Sequence, residues 1–441
     1  MGQGRGRLGD TASPLASMIS RRQMLRLAGG AAGVGLLAAC SSSKSASGST
    51  GSAGSSSTAS TAGSIPTSPI NFAFVLPTTG ALAAAYSPTF GPLKLAVKEI
   101  NASGGILGRQ INTKSYDDQG QAADETTAAE SVLSDGVDFI FGPVGTSNYL
   151  ASIAITQSGS GKAIQTGASE DQTLVNPAKY PGSFINGRKI DKDAHAYVDF
   201  IVGKQGAKRV GILLENTGYG TGGRDFTIAE LKTHGLTPVG MEIYDELTPS
   251  LAPQILRLKE AKPDALIIWS SPPADNLHII TAMQDADLVP MTMMSSAFAT
   301  TLAKALPPDR VTKELFSQLF SVTLRSMSYS STAPLSSNFL AKTEAVFTTY
   351  GIADAVKPAV ATQMTYYDYV YALKAAIEKA HSFEFGPVAK ALEQTSALPG
   401  VMGPMTFTAS DHTGYGSDQY QTVQITDLSD PMAQGYLGQA V

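Results

Sequence analysis

The residues Gly142-Pro143-Val144-Gly145-Thr146-Ser147-Asn148 follow a short apolar run and lead into a helix-forming stretch. Glycine and small hydroxyl residues at such a junction leave backbone amides open at a helix N-terminus, which suits a carboxylate or another acceptor. Thr146, Ser147 or Asn148 would serve equally well as a helix cap, so the motif alone leaves both readings open. A second candidate is Gly218-Tyr219-Gly220-Thr221-Gly222-Gly223, which spells G-x-G-x-x-G after a strand, with Glu242 about 20 residues on, as a dinucleotide loop would have it. Against this, Glu215-Asn216-Thr217 separates the strand from the first glycine and lengthens a turn that should be tight. Gly159-Ser160-Gly161-Lys162 resembles part of a phosphate loop, but Ala163 stands where a Mg²⁺-binding hydroxyl is needed. Asp117, Asp118, Asp124 and Glu125 cluster without the spacing of a Ca²⁺ loop and read as a solvated helix start. No G-x-S-x-G elbow occurs in the body of the chain.

Metal and redox chemistry find little support. Cys40 is the only cysteine, so neither an intrachain disulfide nor a thiolate cluster is possible. The five histidines are scattered without metal-ligand spacing and read as surface or packing residues. No cofactor is expected. The formal net charge is −5 without charge runs, so nothing suggests a nucleic-acid partner. A chain of 441 residues has room for two or three domains, each with its own core.

The N-terminus reads as an address and a tether. Arg21-Arg22 precedes the apolar run Leu27 to Ala39, too short to span a bilayer and flanked like a signal peptide with twin arginines. The run ends in Leu37-Ala38-Ala39-Cys40, which resembles a lipobox; that likeness implies cleavage before Cys40 and acylation of its thiol, leaving the protein anchored to the outer face of the bacterial cytoplasmic membrane. Residues 1–39 are then the signal and 40–68 the lipidated cysteine and leash. Ser41 to Ser64 is almost wholly Ser, Gly, Ala and Thr, a flexible polymer.

The body of the chain, from Ile70 onward, must position the candidate loops. Ile70–Leu76 reads as a strand, and Leu93, Ala96, Val97 and Ile100 recur at one face of a helix. Strands near Gln110–Tyr116, Val137–Phe141 and Lys162–Gln165 alternate with helices carrying Ala122, Thr126, Ala129 and Leu133, and spanning Tyr149–Ser158. A second series comprises helix Lys192–Gly203, strand Arg209–Leu214, helix Asp225–His234, strand Val239–Tyr244, helix Gln254–Glu260, strand Ala265–Trp269, helix Asp275–Asp287 and strand Met291–Met294. Helices Asn338–Tyr350, Thr362–Ala380 and Val388–Thr395 come later. Repeated βα units imply an α/β fold with two doubly wound parallel-sheet lobes, and a cleft at the C-terminal edges of their strands.

In order along the chain, Ala96-Val97-Lys98-Glu99-Ile100-Asn101, Gly104-Gly105-Ile106-Leu107-Gly108-Arg109, Tyr116-Asp117-Asp118, Phe141-Gly142-Pro143, Arg209-Val210-Gly211-Ile212, Tyr219-Gly220, Lys262-Pro263-Asp264, Tyr367-Asp368 and Gly403-Pro404-Met405-Thr406-Phe407 resemble the type I periplasmic binding proteins, specifically the branched-chain amino-acid (leucine/isoleucine/valine) binding group of ABC importers. The resemblance implies a three-stranded hinge, placed near Asn186, Val322 and Met405. Lobe one is then 69–186 with 324–404, and lobe two 187–323 with 405–441. It implies a solute-binding protein, not an enzyme, that closes on a small amino-acid-like or polar metabolite and serves ABC permease subunits. It assigns ligand contacts to Thr146 with Ser147, to Ala168 and Ser169, to Tyr219, and to Tyr86 or its neighbour Ala85. Ser296 stands where the group places an acid for the ligand ammonium, which points to an acid, amide or other uncharged-head solute. Trp269 reads as an aromatic wall of the site or as core, and Tyr366 and Tyr369 as core. Two other readings remain: an exported dinucleotide-dependent oxidoreductase, and a ligand-sensing receptor with the same cleft.

Overall fold

The computed structural model describes residues 68–158, 163–185, 187–295, 306–330, 332–354, 356–426 and 438–441. The signal, Cys40, the leash, Gly159–Lys162, Asn186 and Ser296 lie outside them.

Two sheets form. The first has the order β2-β1-β3-β4-β5, from β1 (Ile70–Leu76), β2 (Ile111–Asp117), β3 (Phe139–Val144), β4 (Ile164–Ala168) and β5 (Ser183–Phe184), all parallel. Strands β1 and β3 are buried along nearly their whole length because helices cover both faces, so they read as continuous apolar runs. Phe72, Phe74, Phe139 and Phe141 pack on one another and on Phe90 and Tyr369. Helices Gly91–Ala102, Ser337–Tyr350 and Met364–Ala380 pack together over this sheet, so the late helices belong to the first lobe.

The second sheet has the order β12-β11-β10-β9-β8-β6-β7. Strands β6 (Val210–Glu215), β7 (Gly240–Tyr244), β8 (Ala265–Trp269), β9 (Met291–Met294) and β10 (Leu319–Leu324) are parallel. The tail adds β11 (Tyr420–Gln424) and β12 (Gln439–Ala440) antiparallel; these two, like β5 and β10, are strands the sequence pattern does not predict.

Two expectations need correction. Helix Gly218–Thr233 begins seven residues before the expected Asp225, so the G-x-G-x-x-G run forms its first turns and not a phosphate loop. The glycines serve close packing: a Cβ on Gly223 would overlap the Trp269 ring, and one on Gly220 the carbonyl of Glu215. Glu242 pairs with Arg257 at 2.6 Å on the outer strand β7. Nor are the acids near Asp117 all solvated, because Asp118 and Glu125 are fully buried.

The chain passes from one sheet to the other between β5 and helix Ile190–Val198, after Leu324, and between Tyr415 and Tyr420. The third crossing lies later than the expected Met405, since segment 405–415 is tied to the first lobe. Ile185 donates to the His412 carbonyl at 3.0 Å and Gly414 donates to that of Ile185, while the Tyr415 hydroxyl donates to Asp368 at 2.9 Å. The first and third crossings run side by side, and the Lys189 amide donates to the Tyr420 hydroxyl at 2.6 Å.

Gly223→Ala is expected to destabilise the protein by about 1–3 kcal/mol through overpacking against Trp269, read by denaturant unfolding with the fluorescence of that single tryptophan. Burial pushes the Glu125 carboxyl from 4.5 up to about 9, with the charge of Asp118 adding to the rise. The folded protein therefore holds a proton that the unfolded chain releases above pH 4.5, and stability falls as pH rises from there to about 9. Glu125→Gln is expected to flatten that slope and to raise stability at the alkaline end by on the order of a few kcal/mol, measured as the denaturation midpoint against pH.

Candidate functional site

The loops that leave the C-terminal ends of β3, β4, β6, β8, β9 and β10 converge on a cleft of about 160 Å³ lined from both sheets. On the first-lobe side, β3 ends at Val144 and helix Thr146–Thr156 starts at once. Its N-cap is Gly145, at φ +96°, a left-handed conformation that favours glycine. No side chain caps this helix, so neither Thr146, Ser147 nor Asn148 takes the capping role. Its first amides stay open to an acceptor in the cleft. The Gly145 amide donates to the Ala168 carbonyl at 2.9 Å, which docks this turn against the end of β4.

Three hydroxyl and amide side chains of the turn do different work. Thr146, 6% exposed, shares a hydrogen bond of 3.1 Å with Ser169, 5% exposed, so their hydroxyls form one polar spot in the cleft wall. Ser147 turns the other way and accepts from the Gly218 amide of the second lobe at 3.0 Å, directly tying the two halves. Asn148 donates to the buried Asp118 at 3.3 Å.

The second lobe contributes Tyr219, in the first turn of helix Gly218–Thr233. Its ring meets Trp269 edge-on at 5.4 Å and its buried hydroxyl faces Ser295. Trp269 itself is fully buried, stacked on Tyr197 at 5.1 Å and donating to Thr227 at 3.0 Å. It is core that backs Tyr219, not a wall of the site. Ser271 lines the cleft and is fixed by Glu215, whose carboxylate accepts from its amide and, at 2.7 Å, from its hydroxyl. Burial lifts the Glu215 carboxyl to about 7, with the charge of Glu246 adding to the rise. Tyr86 reaches from the first lobe toward these acids; burial and then Glu215 push its phenol well above the usual range, so it remains a protonated donor.

Of the expected contacts, Tyr86, Thr146, Ala168, Ser169 and Tyr219 come together around the cleft, with Tyr86 and not Ala85 among its lining residues. Ser147 lies in the adjoining recess as the link between lobes. Tyr366 is core, as expected, but its ring also lines the cleft. Sequence reasoning missed Glu170 and Arg188, and the apolar side formed by Leu324, Met327 and Met402. Arg188 had one legible signal, the adjacent cations Arg188-Lys189 inside the first crossing. The methionines had none, because only the return of distant crossings brings them here. Among the described residues no cluster of His, Cys, Asp or Glu could hold a metal ion.

Known proteins share this architecture. Residues 69–430 match the model of the periplasmic binding protein family. The Leu/Ile/Val-binding protein BraC3 of Rhizobium johnstonii is 26% identical over 347 residues, which cover 77% of this chain and 87% of that one. A periplasmic binding protein type 1 from Bordetella pertussis superimposes with a TM-score of 0.70 at 21% identity, over 85% of this chain and all of that one. A solute-binding protein of an ABC transporter from Rhodopseudomonas palustris, solved with 3,4-dihydroxybenzoic acid, also gives 0.70, at 16% identity over 85% and 97%. The fold of two hinged parallel-sheet lobes is theirs, and the chain belongs to the periplasmic binding protein family, with likeness to its leucine/isoleucine/valine-binding group.

Proposed function

We propose that the protein captures a small carboxylate between its lobes and delivers it to the permease subunits of an ABC importer, working outside the cytoplasm on a lipid anchor at Cys40. The observation that carries the reading is the cleft itself. An uncapped helix N-terminus and the Thr146–Ser169 hydroxyl pair in one lobe face Tyr219 and Ser271 in the other. An acceptor group at the first set gains amide and hydroxyl donors together with the favourable end of the helix dipole. The body of the solute then rests on Tyr86, Tyr219 and Tyr366 and on the apolar side chains of Leu324, Met327 and Met402. Thr146, Ser169, Ala168, Tyr219 and Tyr86 are the proposed contacts, with Ser147 acting through closure. No helix among the described residues is long and apolar enough to cross a membrane, so the anchor falls to Cys40 in this reading. A relative is named for leucine, isoleucine and valine and a neighbour was solved with an aromatic acid, and each of those solutes carries the carboxylate this reading requires.

Native mass spectrometry of the mature protein is expected to release one small acid. Adding that acid back to solute-free protein is expected to reduce the radius of gyration in solution scattering. Thr146→Ala is expected to weaken its binding about 10- to 100-fold, as losing a hydrogen bond to a charged group implies, with isothermal titration as the measure. Protein that carries no solute and keeps one radius against every small acid tried would refute capture by closure.

A further inference from the structure

Arg188 lies in the first crossing and lines the cleft beside Ser169, Glu170 and Gly187. A guanidinium stays charged at any ordinary pH, and burying it is costly unless its donors are matched. Most of this fork is matched. Nε donates to the two Asp193 carboxylate oxygens at 3.0 and 3.1 Å, and Nη2 sits 3.0 Å from Asp193 Oδ2 and donates to Glu170 Oε1 at 3.0 Å. Glu170 follows β4 of the first lobe and Asp193 belongs to helix Ile190–Val198 on the second, so the fork is clamped from both sides. The side chain of Asp193 is fully buried and that of Arg188 is 9% exposed, while Glu170 keeps 26% open at the cleft. Among the described residues nothing accepts from Nη1, and Glu170 gives only one of its two oxygens to Arg188.

We propose that Nη1 of Arg188 donates to an oxygen of the bound solute, and that the cleft therefore selects a small carboxylate bearing a hydroxyl or carbonyl oxygen where an amino acid carries its ammonium. The inference rests on the solute-capture reading above and deepens it. An ammonium has three donors and no acceptor, so it could pair with the open oxygen of Glu170 but would leave Nη1 unsatisfied and place a second cation beside the guanidinium. A carbonyl oxygen accepts from Nη1. A hydroxyl accepts from Nη1 and donates to Glu170, matching both groups at once. Because salt bridges on two sides hold the fork, it is ordered before the solute arrives, and little side-chain entropy is lost on contact.

The test is isothermal titration of the solute-free protein with leucine, its α-hydroxy analogue and its α-keto analogue, which share one skeleton and differ at one group. The two oxygen-bearing acids are expected to bind at least about tenfold tighter than leucine. Arg188→Lys, which keeps the charge and loses the fork, is expected to erase that preference. Glu170→Gln keeps the Arg188 donors and is expected to shrink the advantage of the hydroxy acid over the keto acid. Should Arg188→Lys fail to fold, the ranking on the unaltered protein still decides. Leucine binding as tightly as the oxygen acids, a full preference in Arg188→Lys, or no response to any of the three overturns the inference. Capture itself is judged separately by the co-purifying solute and the change in radius, so the two failures are distinguishable.

Discussion

A parallel sheet sends the C-terminal ends of all its strands to one edge, and the arrangement of this protein follows from that constraint. Two such sheets face each other across three crossings, so their productive edges meet. Many of the cleft residues come just after strand ends: Gly145 and Thr146 after β3, Ser169 and Glu170 after β4, Ser271 after β8 and Ser295 after β9. None of these loops needs a long excursion. The central strands β1, β3, β6 and β8 are buried on both faces and largely apolar, so most polar groups of their βα units are confined to the strand ends.

The same constraint explains how much could be read from sequence. Strands β8 and β9 fall where runs of Ala265–Trp269 and Met291–Met294 place them, because continuous apolar stretches bounded by polar turns have few alternatives. The start of helix Gly218–Thr233 did not emerge, since four glycines in six residues signal a loop to any propensity argument. Only the ring of Trp269, 46 positions later in the chain, shows why they are tolerated. The site followed the same division. Thr146 and Ser169 were legible because they lie in loops after predicted strands that resemble the contact loops of the binding-protein family. Met327 and Met402 were not, because their place depends on how separate crossings fold back together. The segment 405–415 misled for a related reason: its partners, Ile185 and Asp368, are far away in sequence.

The electrostatics are arranged by depth. Surface pairs such as Glu242 with Arg257 contribute little, being exposed to solvent and screened by salt. At the hinge, by contrast, Arg188, Glu170 and Asp193 join the first crossing to both lobes under cover. Desolvation makes such a cluster a doubtful source of net stability. Its geometric effect is surer: removing either carboxylate would leave a buried cation short of partners, so the three side chains hold one another in place. Glu215 acts similarly in the second lobe, since its carboxylate fixes the amide and hydroxyl of Ser271.

Closure follows from comparing magnitudes. Away from the Arg188 cluster at the hinge, a direct link between the facing loops is the bond from the Gly218 amide to Ser147, a neutral hydrogen bond worth about 0.5–1.5 kcal/mol net. That amounts to a bias of roughly two- to tenfold, too small to hold two lobes together against the freedom they lose. A solute that touches Thr146 and Ser169 on one side and Tyr219 and Ser271 on the other adds contacts that exist only when the halves are together. By linkage, its differential affinity for the closed form is what shifts the population. In the proposed reading, so weak a latch would let the empty protein reopen, and the solute would determine when the closed face is presented.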